Sequence, residues 1–342
     1  MKSTKNRISI LLALLPLASC EPVDCLVAPP AACSVTFNIS GLVPSAKASA
    51  TPGAWESTVS SVRLFVFDAQ GSLEASPTVN LSTLEATASV LAGTKTVWAV
   101  ANAPDLGSPT LSGLGAKVSA LSDNASGLVM TARTSVTVTD KCDVDLTLER
   151  LVDKVTLRSV TRNFTGDAAA YAASPMTITA AYLSNVAASS YYWDILGPAD
   201  VTTWYNKLGV HAPAGSIEGF LYQNIGASIA QGATWPATVS DANEKIFYCY
   251  PYAGTFSSAG GTWDYKHPTR LVLQCDLAGT TTYYPVTLPK MERNKVYQVS
   301  VTLGSTGFTD PEGGESSDPS IDVDVDIEVG AWADVIVVNE TI

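Results

Sequence analysis

Lys295-Val296-Tyr297-Gln298-Val299-Ser300-Val301-Thr302-Leu303 and Ile321-Asp322-Val323-Asp324-Val325-Asp326-Ile327-Glu328-Val329 decide the fold class of this chain. The first puts Val, Tyr and Leu in near-alternation and the second alternates strictly, which is the period of a strand with one apolar face. In the second, the opposite face is acidic. The Gly- and Pro-bearing run Gly304 to Gly314 between them reads as a loop, and Val335-Ile336-Val337-Val338 follows Trp332 as a last apolar run.

Working outward, the same alternation recurs upstream. Ser34 to Ile39 reads as a first strand, and Gly41 to Gly53, with two Pro and small residues, reads as an exposed loop open to a protease. Val62 to Phe67 is closed by the turn Asp68-Ala69-Gln70-Gly71, and Thr96 to Ala101 by Asn102-Ala103-Pro104. Ser135 to Thr139 and Asp143 to Leu148 complete this half. Glu149-Arg150-Leu151-Val152-Asp153-Lys154 then leads into Val155 to Val160, followed by Met176 to Leu183, Lys245 to Tyr250, Arg270 to Gln274 and Tyr283 to Leu288. Gly197 to Asn243 has weak periodicity and reads as a surface insertion with short elements. Strands at this spacing, without helical alternation, predict an all-β chain of two β-sandwiches in tandem, joined near residue 149.

The bulk numbers agree with that class. The chain has 342 residues, 46% hydrophobic but only 15% charged, long enough for about two domain cores. A net charge of −12, with no Lys/Arg cluster, excludes a nucleic-acid footprint. Lys2, Lys5 and Arg7, the apolar run Ile8 to Leu17 and then Ala18-Ser19-Cys20 have the three-part design of an export signal. Leu17-Ala18-Ser19-Cys20 is similar to a bacterial lipobox, which makes Cys20 the expected lipidation site. Of the six cysteines, five remain after Cys20, an odd number. Cys249 and Cys275 lie in strand-like runs and either pair, if their strands are neighbours, or stand as two buried thiols.

Catalytic and metal chemistry find little support. Asp322 to Glu328 resembles the start of an EF-hand loop, but Ile327 stands where Gly is needed and Ala333 where a bidentate Glu belongs, so a solvated acidic strand face is the reading. His211 and His267 sit in no catalytic motif and are expected at the surface. Trp204, Tyr205, Trp235, Trp263 and Tyr265 form either a sugar-stacking platform or core and loop anchors. No cofactor and no catalytic residue is expected.

Across almost its full length the chain resembles the fimbrillins of Bacteroidales, the subunits of type V pili. Five places carry the resemblance: the lipobox at Cys20; Phe65-Val66-Phe67-Asp68-Ala69-Gln70-Gly71; Trp98-Ala99-Val100-Ala101-Asn102-Ala103; Leu148-Glu149-Arg150-Leu151-Val152-Asp153-Lys154-Val155; and Leu288-Pro289-Lys290-Met291-Glu292-Arg293-Asn294-Lys295-Val296-Tyr297, followed by Gly307 and Asp310-Pro311-Glu312.

The resemblance implies two transthyretin-like sandwiches, a lipidated precursor at the outer membrane, and assembly into surface fimbriae by protease-triggered strand exchange. It implies as partners other copies of the chain, accessory fimbrial subunits, a processing protease and an unidentified surface ligand. The expected division is a signal peptide at 1–19, a lipidated propeptide with the first strand at 20–47, sandwiches at 48–148 and 149–330, and a donor segment at 331–342. The departing strand is Ser34, Val35, Thr36, Phe37, Asn38 and Ile39, and the donor strand Val335, Ile336, Val337 and Val338. The family pattern cuts after Arg, whereas Lys47 is the single basic residue between Cys33 and Val62, so cleavage is expected at Lys47–Ala48. The alternatives are an anchor or tip subunit, or a monomeric glycan-binding outer-membrane lipoprotein.

Overall fold

The structure, a computed structural model, describes residues 32–40, 54–195, 197, 200–240, 242–252, 263, 267–312 and 323–332. Nine strands come first: β1 (Ala32–Ser40), β2 (Val62–Phe67), β3 (Leu73–Ala75), β4 (Glu85–Leu91), β5 (Gly93–Ala101), β6 (Val118–Ala120), β7 (Met130–Val138), β8 (Cys142–Thr147) and β9 (Glu149–Arg150). Eight of them form two sheets, ordered β4-β1-β8 and β3-β2-β5-β7-β9. Alternate side chains of β1, β4 and β8 meet the Val-, Phe- and Trp-rich runs of β2 and β5 in one continuous core, as a sandwich requires.

Twelve strands follow: β10 (Asp153–Arg162), β11 (Met176–Ser184), β12 (Val186–Ala187), β13 (Ser189–Tyr191), β14 (Trp204–Tyr205), β15 (Tyr222–Ser228), β16 (Thr234–Trp235), β17 (Lys245–Cys249), β18 (Arg270–Leu277), β19 (Thr280–Thr287), β20 (Lys295–Leu303) and β21 (Val323–Ala331). One sheet runs β16-β10-β20-β21 with β17 also on β10, and the other β15-β11-β18-β19. The opening pair of the sequence reading is therefore a true ladder, with Val299 opposite Ile327 and Tyr297 opposite Val329. Because β21 is extended across this span, it does not adopt the loop that an EF-hand needs; Asp326 faces solvent and Ile327 packs against the core. β9 pairs with β7 and β10 starts the next sheet, so sheet membership changes between Arg150 and Asp153. A two-stranded ladder of β6 with β13 crosses that division.

Several expectations need correction. Part of the weakly periodic stretch 197–243 is integral to a sheet: β15 is an edge strand on β11, and Ile217 and Leu221 are buried. Burial alternates along Gln223–Ser228, but the inward residues are Gln223, Ile225 and Ala227, so a single large apolar side chain marks the period of two. Cys249 lies on β17 and Cys275 on β18, in different sheets, and both are free, buried thiols, so the disulfide alternative falls. Burial raises the pKa of each. His267 is buried rather than at the surface, with Nδ1 3.2 Å from Glu312 Oε2 and its ring stacked on Trp263.

Candidate functional site

β1 holds the residues expected to depart, and its sequence explains its place. Cys33, Val35, Phe37 and Ile39 alternate into the core and are all buried, while Ala32 and Ser34 face out. On one side β1 runs antiparallel to β4, from Ala32 opposite Leu91 to Asn38 opposite Glu85. On the other it runs parallel to β8, from Val35 opposite Cys142 to Ser40 opposite Thr147. Asn38 donates to Asp145 (2.9 Å), and Ser40 and Thr147 share a hydroxyl contact of 3.2 Å. Cys142 is a free thiol set opposite Val35, so no disulfide ties β1 to β8 through Cys33. At the exit, the Leu148 amide donates to the Ser40 carbonyl. Without β1, the edges of β4 and β8 would stand unpaired over an open core.

Lys47 and Ala48 lie outside the described residues, as do Cys20 and the donor residues Val335 to Val338. The described chain resumes after the first-strand loop at Ala54–Ser57, a single 3-10 turn anchored by charge. Glu56 is buried, and its carboxylate accepts from Lys154 Nζ at 2.9 Å, from the Tyr248 hydroxyl, and from Trp332 Nε1 at 3.4 Å. Lys154 and Glu56 side chains are each 1% exposed. Arg150 donates to the Glu56 carbonyl (3.0 Å) and to Ser57 Oγ (3.2 Å), and its guanidinium lies 4.4 Å from the Trp332 ring. Trp55 packs edge-on to Tyr248 at 5.2 Å.

One carboxylate thus answers two buried cations, and the electrostatics show the cost. Burial lowers the Arg150 pKa to about 10, with the Glu56 charge working against that fall. Tyr248 is pushed up by burial and by the same negative charge, so it stays a donor. The cluster ties the segment after the first-strand loop to Trp332, the last described residue before the C-terminal run. Asn294, in the left-handed region at φ +61°, joins it by accepting from the Trp332 amide through its carbonyl (3.1 Å) and from the Arg150 amide through Oδ1 (3.4 Å).

The motif residues singled out in the sequence acquire physical roles. Asn102 ends β5 at φ +57°; its amide accepts from Ser60 N and donates to the carbonyls of Thr58 (2.7 Å) and Leu128 (2.9 Å). Asp68 caps the turn after β2 through the amides of Gln70 and Ser72. Arg293 forks onto four carbonyls, those of Tyr191, Tyr192, Trp193 and Asp194. Gly307 lets its loop close on β19, where a Cβ would lie 2.8 Å from Tyr284 Cζ. Glu56, Tyr248 and Trp332 escaped the sequence reading, although two basic residues in the apolar run Arg150 to Val155 signal a hidden carboxylate.

The aromatic candidates divide. Trp204 is buried against Tyr252 (4.7 Å) and Trp263 (5.3 Å), whereas Trp235 lies on β16 in another sheet. Tyr205 is half-buried on β14, and Tyr265 lies outside the described residues. They form no common platform among the described residues.

Residues 33–179 match the family model of the major fimbrial subunit protein (FimA). A fimbrilin (FimA) from Porphyromonas gingivalis superposes with a TM-score of 0.60 at 17% identity, over 90% of this chain and 99% of that one. A candidate cell adhesion protein from Bacteroides eggerthii gives 0.59 at 20% identity, over 89% and 97%. These likenesses show a shared fold. No curated protein matches the chain. Over residues 33–179 the chain is thus similar to the major fimbrial subunit proteins, and its all-β fold is the one that the Porphyromonas gingivalis fimbrilin adopts.

Proposed function

We propose that the chain is a polymerising fimbrial subunit that works by strand exchange. It is exported and lipidated at Cys20, held at the outer membrane, and cut at Lys47–Ala48. The lipid-bearing piece then leaves with Ser34 to Ile39, and Val335 to Val338 of another copy fills the vacated slot. Residues 48–148 and 149–330 serve as the two sandwiches of the mature subunit.

One observation carries the reading. β1 is central in its sheet, yet it precedes every other described strand and is followed by residues 41–53, so a single cut there severs it from all its neighbours. Its four buried side chains contribute roughly 6–12 kcal/mol at about 1.5–3 kcal/mol each, so the strand leaves only if an equivalent replaces it. Five residues from Val335 to Asn339 extend roughly 17 Å, enough to cover most of the slot. Main-chain ladders supply affinity and alternate side chains supply register.

Electron microscopy of purified fibres with N-terminal sequencing tests this. The expected mature terminus is Ala48, and deletion of 335–342 should leave folded monomers. Fibres whose subunits still begin at Cys20, or fibres formed by the deletion variant, would overturn strand exchange.

A further inference from the structure

Among the described residues, six of seven arginines give their guanidinium to a protein oxygen. Arg63 meets Asp105, Arg150 the Glu56 carbonyl, Arg158 Glu244, Arg162 the carbonyls of Tyr171 and Ser174, Arg270 Glu312, and Arg293 the turn 191–194. Arg133 is the exception. It stands on β7 directly opposite Trp98 of β5, half-buried, with its guanidinium carbon 5.2 Å from the Trp98 ring and 5.7 Å from that of Trp193. Two indoles fix the side chain from either strand and turn, and its N–H groups have no oxygen partner among the described residues.

That unspent cation forms part of the wall of a cavity of about 530 Å³. Trp98, Ser72, Thr110, Ser112 and Gln70 line it too, and no lining residue is acidic. The volume falls within the range of small-molecule sites, about 300–1,000 Å³. In a chain of net charge −12, this recess has a cation and no acidic residue in its wall, and the neighbouring Asp68 carboxylate is already held by the amides of Gln70 and Ser72.

We propose that the cavity binds a carboxylate-bearing sugar residue. A planar guanidinium presents two parallel N–H donors that match a carboxylate, a geometry an ammonium does not offer. The Ser, Thr and Gln groups pair with ring hydroxyls, while the Trp98 indole, itself buried, holds the guanidinium in place behind them. A uronic acid within a polysaccharide and a sialic acid at a glycan terminus share this chemistry. The inference extends the adhesive side of the fimbrial reading and is independent of strand exchange, since a monomer carries the whole cavity.

The test titrates the full chain in detergent with the methyl glycosides of glucuronic acid and N-acetylneuraminic acid, their methyl esters, and the neutral glucoside, followed by ligand-observed NMR. One of the acids should bind, which identifies the source, and its ester should bind at least about tenfold more weakly. Arg133→Ala should match that loss, and Arg133→Lys should recover only part of it. If Arg133→Ala unfolds, the acid-against-ester comparison on the unaltered protein decides. Equal binding of acid and ester, or no binding of either acid at millimolar concentration, overturns the proposal.

Discussion

Replacing Glu56 by Gln should destabilise this protein far more than replacing the lysine it pairs with. Glu56 and Lys154 meet at 2.9 Å with both side chains 1% exposed, and Arg150 lies against the same turn. Glu56→Gln keeps the shape but leaves two buried cations without a counter-charge, and breaking a buried pair in this way costs about 3–5 kcal/mol. Lys154→Met leaves the carboxylate with the Tyr248 hydroxyl, the Trp332 indole and the field of Arg150, so its cost is that of one charged hydrogen bond, about 1.5–3 kcal/mol. At about 2 °C per kcal/mol for a chain of this size, the melting temperature should fall by ~6–10 °C for Glu56→Gln and by roughly half that for Lys154→Met. Circular-dichroism melts at neutral pH measure both. The gap should persist in high salt, because a buried pair is little screened. A Glu56→Gln melt indistinguishable from the parent protein, or a Lys154→Met loss as large, refutes the sharing of one carboxylate by two cations.

Asp153 yields a pH signature. It is fully buried; one carboxylate oxygen accepts from the Lys295 amide at 3.2 Å, the other has no partner among the described residues, and burial raises its pKa well above 3.8. A carboxyl with a raised folded-state pKa contributes stability below its unfolded value and loses it as pH climbs through the folded one. Asp153→Asn should therefore gain on the parent protein as pH rises above about 4, read from urea midpoints; parallel curves would contradict it. Arg293→Ala should free the turn at 191–194 and speed chymotryptic cleavage beside Tyr191 to Trp193, with Arg293→Lys giving little rescue, since one ammonium cannot fork to four carbonyls. An unchanged cleavage rate would assign the turn's order to other contacts.

Strands whose buried positions carry large side chains were readable from sequence. β1, β20 and β21 alternate Val, Phe, Ile or Leu with polar residues, β2 is a near-continuous apolar run, and each forms close to its expected span. β4 was missed because its inward residues are Ala86, Ala88 and Val90, and two alanines make a faint stripe. β9 has only two residues, too few to show a period. The charge cluster was hidden for another reason. Glu56 and Trp332 are 276 residues apart, and nothing local at either position announces the other. Arg150 and Lys154 do carry a local signal, since basic side chains flanking Leu151 and Val152 in a strand-bound run must find a buried acceptor. Likewise, the sequence marked Arg293 as part of a motif, but only the fold shows that its work is to hold a distant turn.

Under the proposed strand exchange, the mixed pairing of β1 bears on how fibres would acquire direction. Antiparallel ladders are slightly the stronger kind, so an ordinary edge prefers one orientation of an incoming strand. The slot between β4 and β8 lacks that bias, because β4 and β8 are antiparallel to each other across it. A strand entering either way makes one ladder of each type, and the backbone count is the same. Under the proposed strand exchange, fibre polarity would then be written in side chains, by which residues of the incoming segment fill the positions of Cys33, Val35, Phe37 and Ile39. Backbone pairing alone would leave head-to-tail and inverted joints equivalent.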